Sequence, residues 1–380
     1  MISEPTYLAA KMVSSALQEH FEQQLVPTKG KSQKNALVPD QFVIEGIIDA
    51  AFWASLRHEE GYVPKISLAF LPPTVGENNL VFEETQRLTP HNLVKLSPAV
   101  VLPGIHLGIW REEDNLYIWG TTHRVPTSCF VLEVIEAGLL VVKQKNNDIG
   151  AKFINIAMLR GNQIKLVDEK QWGLFDDRPD ILTALLGFPV SPEQGEDANI
   201  LVELALAMRR HGRGALMLVV PNHNDQWLKS IVQPIRYRFN PPYSIVPKDL
   251  GKDNEKQYTN GYQGQLRRSI NSIAGFTAVD GATVVTRDHW LLAFGTKVTR
   301  VDGRKPVKQI LYSEPTAGRK RELRSIAEIG GTRHLAAAQF AYDQHDSLAL
   351  VASQDGFFTV FAWSDELEIV HAHRIDMLLM

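Results

Sequence analysis

From Ala9 onward, apolar residues recur at helical spacing at Met12, Val13, Ala16, Leu17, Phe21 and Leu25, which predicts one helix, and Lys29–Lys34 then supplies a polar, Gly-containing loop. The same periodicity predicts a second helix over Phe42–Leu56, followed by a short strand at Ile66–Leu71 that Pro72 and Pro73 end. Between His106 and Lys165 the pattern changes to alternation. Leu107, Ile109, Leu116, Ile118, Phe130, Leu132, Val134, Leu140, Val142, Phe153 and Ile164 mark short strands. Turn signals separate them at Glu113-Asp114-Asn115, Glu136-Ala137-Gly138, Asn146-Asn147-Asp148 and Gly161-Asn162. An antiparallel sheet or small barrel is expected. The pairs Trp110/Tyr117 and Trp119/Phe130 can either line a pocket or pack across strands, the commoner use of such aromatics.

A helix is expected at Pro179–Leu186, and the polar stretch Ser191–Asp197 reads as a linker, so two domains are predicted, 1–190 and 196–370. In the second, Leu201–Arg210 is helical and His211-Gly212-Arg213-Gly214 ends it. Ala215–Val220 is apolar on both faces, as a central strand covered by helices must be. Pro242–Lys248 reads as an extended loop and Gln263–Ile273 as helix. Strands follow at Ala282–Thr286, Trp290–Phe294 and Ile310–Tyr312, a helix at Arg333–Asp343, and a strand pair at Leu348–Ser353 and Phe357–Ala362. The predicted class is α/β, or α+β overall: a mixed sheet flanked by helices, preceded by a domain of helices and antiparallel strands.

A chain of 380 residues with 44% apolar content is long enough for two cores. A formal charge of −3 argues against a surface built as a whole to coat nucleic acid or an anionic membrane, and DNA is not an expected partner. The single cysteine, Cys129, lies in a strand-like run and is expected to be a packing residue in a reducing, cytoplasmic setting. Thr6–Gln24 reads as an amphipathic helix and not as a signal peptide. The most apolar stretch, Phe130–Val142, is interrupted by Glu133 and Glu136 and falls short of a membrane span, so no membrane partner is expected.

Three constellations carry candidate chemistry. In Val279-Asp280-Gly281-Ala282-Thr283, an acid and two minimal side chains stand at the mouth of a buried strand. Gly281 and Ala282 would let a ligand approach the backbone, and Asp280 suits a divalent metal or a ribose hydroxyl, although Asp-Gly is also an ordinary turn. In Gly330-Gly331-Thr332-Arg333-His334, a glycine pair leads into a helix. Its free amides, with Thr332 and Arg333, form a natural phosphate cradle, while His334 alone more often serves as a structural residue. In Ala352-Ser353-Gln354-Asp355-Gly356, Ser353 and Gln354 can reach a ligand, although a hairpin also accounts for Asp355-Gly356. The basic run Arg319–Arg324 reads as solvated surface or as a screen for phosphate charge.

Taken in order, these pieces make residues 200–363 resemble the diadenylate cyclase family, whose domain condenses two ATP molecules into cyclic di-AMP across a head-to-head homodimer with a divalent metal, Mg or Mn. The resemblance implies that Asp280 is the metal-binding catalytic acid and that Gly281 and Ala282 shape the nucleotide pocket. It further implies that Gly331, Thr332, Arg333 and His334 hold phosphates and that Ser353 and Gln354 close the site. The family's Arg-His-Arg triplet reads Arg333-His334-Leu335 here, which removes a charge-assisted contact to a leaving polyphosphate. The N-terminal half resembles neither the DNA-binding helices nor the membrane anchor found in that family. The combination is similar to a bacterial branch in which the cyclase-like domain is proposed to sense a nucleotide. Three readings follow: a sensor that binds ATP or a cyclic dinucleotide, an active diadenylate cyclase that finds its second cation in Arg319–Arg324, and a non-catalytic interaction protein.

Overall fold

The computed structural model describes residues 5–23, 38–58, 61, 63–76, 78–145, 153–167, 179, 192–222, 224–246 and 255–380. The chain divides into two compact mixed α/β units, Met1–Val167 and Asp168–Leu379. The expected loop at Lys29–Lys34, the turn at Asn146–Asp148 and, beyond Pro179, the helix to Leu186 fall outside the described residues. The stretch read as a linker is helical from Pro192. A proline in the first turn of a helix forfeits no hydrogen bond, so its punctuation there marks a helix start and not a linker.

In the first unit, α1 (Leu8–Gln23) buries Ala9, Ala10, Val13, Leu17 and Phe21, while Met12 lies on the solvent side. Helix α2 (Gln41–Ser55) starts at Asp40, whose carboxylate accepts from the Val43 amide, the arrangement expected of a strong N-cap. A short helix, α3 (Pro90–Leu96), is capped in the same way by Thr89. The strands are β1 (Ser67–Phe70), β2 (Leu80–Arg87), β3 (His106–Glu112), β4 (Asn115–Thr122), β5 (Phe130–Glu136), β6 (Leu139–Lys145), β7 (Phe153–Arg160) and β8 (Gln163–Leu166). Among the described residues they form one open eight-stranded sheet in the order β2-β4-β3-β1-β5-β6-β7-β8. It is not a barrel, and the β1–β3 pair is parallel, so the sheet is mixed.

Alternation along β1 and into Leu71 just after it sends Leu68 and Phe70 into the large core beneath α1 and α2, and Ala69 and Leu71 into a smaller cluster on the other face. That split separates one expected aromatic pair: Phe130 joins the large core and Trp119 the small one. Trp110 and Tyr117 do stand opposite each other across β3 and β4. Trp119 donates from Nε1 to the Leu71 carbonyl at 2.8 Å and packs against Gly108, where a Cβ would come within 2.1 Å of its ring. Cys129 is buried in the same cluster, and burial pushes its thiol up to about 12, so it is a packing residue.

In the second unit, α4 (Pro192–Arg210) leads to β9 (Ala215–Val220), then β10 (Tyr237–Ser244), α5 (Glu255–Thr277), β11 (Ala282–Thr286) and β12 (Trp290–Thr296). After these come β13 (Gln309–Ser313), β14 (Glu322–Ser325), α6 (Thr332–Asp343), β15 (Leu348–Ala352), β16 (Phe358–Ser364) and β17 (Ile369–Arg374). The nine strands form one sheet in the order β10-β12-β11-β9-β15-β16-β17-β13-β14. Pairs β9–β11 and β13–β17 are parallel and the others antiparallel. Leu216, Leu218 and Val220 share a core with Ala337, Ala338, Phe340 and Ala341 of α6. Met217 and Val219 face the other way and are also fully buried, and α4 and α5 pack on each other and on the sheet.

Strand β10 overturns the loop expected from Pro242. Pro241 and Pro242 are tolerated because β10 lies at the edge of the sheet, where a missing N–H breaks no ladder bond. Stacking of Tyr237 on Phe294, with centroids 4.8 Å apart, holds it against β12.

A cleft at the start of helix α6

The strand register brings the sequence constellations to one end of the second sheet. Ala215 pairs with Ala352 and Leu216 with Ala282, so Gly214 and Ser353 stand level beside β9 and β15, with Asp280 and Gly281 at the same end of the sheet, just before β11. Beside them a cleft of about 320 Å³ opens at the first turn of α6. Gly331, Thr332, Arg333 and His334 line it on one side, and Ser353 and Gln354 on another.

Asp280, Gly281 and Ala282 are not among the lining residues. Asp280 is exposed two strands away from Ser353, a lateral distance of about 10 Å at ordinary strand spacing. Gly281 has φ of 106°, and a Cβ there would come within 2.6 Å of the Gly295 carbonyl carbon, so the crossing of β12 explains this glycine. Ala282 is fully buried in the core. Its small side chain serves packing, in contrast to the ligand approach expected from the sequence.

At the start of α6, Gly331 occupies the N-cap position and supplies no side-chain cap. The His334 and Leu335 amides both return to the Gly331 carbonyl. The amides of Thr332 and Arg333 precede the helical ladder and point out of the first turn, where the helix dipole is positive. Gly330 is required for a different reason: a Cβ there would lie 2.2 Å from His334 Nδ1. The imidazole thus lies against the backbone, with its edge toward Phe361 at 6.0 Å. Burial, reinforced by the charge of Arg374, pulls His334 below its ordinary value, so the ring is neutral at neutral pH.

Sequence reasoning missed part of the wall: Arg374 at the end of β17, Tyr312 on β13 and Phe357 line the cleft, together with Arg324 on β14, the last residue of the basic run read as solvated surface or as a screen for phosphate charge. Arg374 lies 3.7 Å from the Phe357 ring centroid and pairs with Asp376 at 2.7 Å, with Glu314 at 4.0 Å. Burial by itself disfavours its charge, but these carboxylates more than offset that, and the guanidinium titrates above its ordinary range. Arg324 pairs with Glu322 and covers the Tyr312 ring at 4.2 Å. Burial raises the Tyr312 phenol, keeping it protonated. Arg333 differs from both arginines. Among the described residues it has no carboxylate and no hydrogen-bond acceptor, and its guanidinium rests on Gly214, where a Cβ would lie 2.6 Å from Nη1. Glu328 and Asp355 also line the cleft and bound its capacity for anions.

The hairpin at Ser353 is ordered by its own bonds. The Ser353 amide donates to the Phe357 carbonyl at 2.8 Å, and its hydroxyl accepts from the Phe357 amide at 3.2 Å. The hydroxyl proton remains available to a ligand. Leu335, which stands where the resembled family has arginine, is 43% exposed and does not line the cleft. As for a divalent metal, no three His, Cys, Asp or Glu side chains converge among the described residues. Asp280 alone is too few ligands for a resident ion, so no chemistry is routed through one.

A family model described as "Probable sensor domain DACNV" matches residues 33–123, within the first unit, to which sequence alone assigned no role. Among solved structures, the chain is similar to a double cysteine mutant of DacA from Staphylococcus aureus. The identity is 14%, over 45% of this chain and 83% of that one, with a TM-score of 0.24. No curated protein matches. No described helix is long and apolar enough to cross a membrane.

Proposed function

We propose that the protein is a nucleotide-responsive sensor whose C-terminal unit binds the phosphate groups of ATP or a cyclic dinucleotide at the start of α6. The observation that carries this reading is the Arg333 guanidinium, uncompensated among the described residues and set beside two helix amides that Gly331 leaves uncapped. An anion there gains charge-assisted hydrogen bonds and the helix dipole together. The sensor-domain match to residues 33–123 supports the signalling context, with the N-terminal unit as the input module. The test is calorimetric titration of the full chain with ATP and with cyclic di-AMP. Arg333→Ala should weaken binding by about 1.5–3 kcal/mol, and an unaltered affinity would rule the cradle out.

One observation favours a second reading, an active diadenylate cyclase. Arg324 brings a guanidinium into the cleft that Leu335 cannot supply. The full chain, working as a face-to-face dimer, should then release cyclic di-AMP when incubated with ATP and Mn²⁺, and Arg324→Ala should abolish the product. Saturable nucleotide binding without product leaves the sensor reading alone standing. Neither binding nor product would leave an interaction protein.

A further inference from the structure

A second cleft, of about 440 Å³, lies at the other end of the same sheet. Helix α6 marks the separation: Thr332 opens the arginine cleft, whereas Tyr342, in the last turn, lines the second. The strands agree, for Arg374 at the end of β17 lines the first, and Ile369 and Val370 at its start line the second. The ten residue steps from Thr332 to Tyr342 place the two about 15 Å apart along the helix axis.

The second cleft sets aromatic walls next to two lysines. Tyr342, Trp363 and Val307 extend the apolar core outward as its walls. Trp363 is braced by His345, stacked at 3.9 Å with a 9° interplanar angle, and by the edge of Tyr342 at 5.8 Å. Exposed Lys305 and Lys308 line the opening, and Glu368, held at φ of 49°, stands among the same lining residues. The loop that carries both lysines is pinned to α6. The Val301 amide donates to Asp343 at 3.0 Å, the Val307 amide to Gln339 Oε1 at 3.0 Å, and Gln339 Nε2 to the Lys305 carbonyl at 3.3 Å. A wall fixed before binding spares a ligand the cost of ordering it.

We propose that this cleft is a second ligand site, for a nucleoside monophosphate or a molecule of the same chemistry, a planar heteroaromatic ring with one phosphate. The ring packs on Trp363 and Tyr342, the phosphate meets the Lys305 and Lys308 ammonium groups, and Glu368 accepts a hydrogen bond from a ring or sugar donor. This does not depend on what the arginine cleft binds.

The test is photolabelling of the full chain with 8-azidoadenosine 5′-monophosphate, followed by peptide mapping. Label is expected to saturate on residues 305–309, 342 or 363–370. Lys305→Glu combined with Lys308→Glu, both at exposed positions, should weaken half-maximal labelling there by about tenfold or more, since two charge-assisted contacts are lost. Arg333→Ala should leave it unchanged. Label confined to the arginine cleft, label that never saturates, or label indifferent to the paired lysine changes in a variant with unaltered circular dichroism would each overturn the proposal.

Discussion

The guanidinium of Arg333 lies against the backbone of Gly214, at the point where β9 begins, so closely that a methyl group on Gly214 would come within 2.6 Å of Nη1. A helix residue and a residue just before a strand, 119 positions apart by their numbers, therefore set one another's geometry. The contact involves the far end of a flexible side chain, and Gly214 does not use a left-handed conformation. Substitution there should consequently move the arginine and spare the fold.

Gly214→Ala is expected to leave stability within about 1 kcal/mol of the parent while weakening ATP binding by about tenfold, the loss of one charge-assisted contact. Urea denaturation and calorimetric titration of the same preparation check both halves. A large stability loss would mean that the glycine serves packing and not the cleft.

His334 is neutral in the free protein, because burial and Arg374 disfavour its charge. A bound phosphate would favour the imidazolium, so binding should take up a proton and tighten as pH falls from 7.5 toward 5.5. His334→Gln should lose that part of the slope and keep any part due to phosphate ionisation itself. Parallel slopes in parent and variant would remove His334 from the ligand's reach.

His106 in the first unit is drawn down from 6.5 to about 4, chiefly by burial, with Lys143 and His123 adding to the effect and Glu133 opposing it. Its ring nitrogen Nδ1 is 2.7 Å from the Ser67 hydroxyl. The unfolded chain binds a proton that the folded one refuses between these two values. Stability is therefore full above pH 6.5 and falls by about 3 kcal/mol as pH drops toward 4, at 1.36 kcal/mol per unit. Denaturant midpoints across that range should show the fall in the parent and a much shallower one in His106→Gln.

Gly108→Ala should destabilise the first unit by about 1–3 kcal/mol. The added methyl would enter the Trp119 ring, and the indole cannot easily retreat while Nε1 is bonded to the Leu71 carbonyl. Near-UV circular dichroism would report the displaced tryptophan. A parent-like spectrum and denaturation midpoint would contradict the packing described here.

What was legible in the sequence was what local pattern encodes. Ala215–Val220 announced a central strand because both of its faces are apolar, and the Gly330-Gly331 pair announced the start of α6. The arginine cleft was half legible for the same reason, since Gly331–His334 and Ser353–Gln354 stand next to such punctuation. Its other half depends on pairings distant in the chain. Arg374 reaches the cleft only because β17 lies between β16 and β13, and His371 and His373 disguise the alternation of that strand. Arg324 gets there on a four-residue edge strand whose polar residues read as surface. Asp280 shows the converse: a local motif that reads equally as an ordinary turn, and whose glycine the crossing of β12 explains.

The uncapped start of α6 also bears on motion. With Gly331 offering no side chain to hold the first turn, the Thr332 and Arg333 amides should exchange with solvent more readily than those of a capped helix. A bound phosphate would act as the absent capping residue. At a hundredfold excess over its dissociation constant, it would protect the Thr332 and Arg333 amides by up to about 2.7 kcal/mol. Occupancy of the cleft would then be written in the exchange rates of two backbone protons, readable even if no atom elsewhere in the chain changed position.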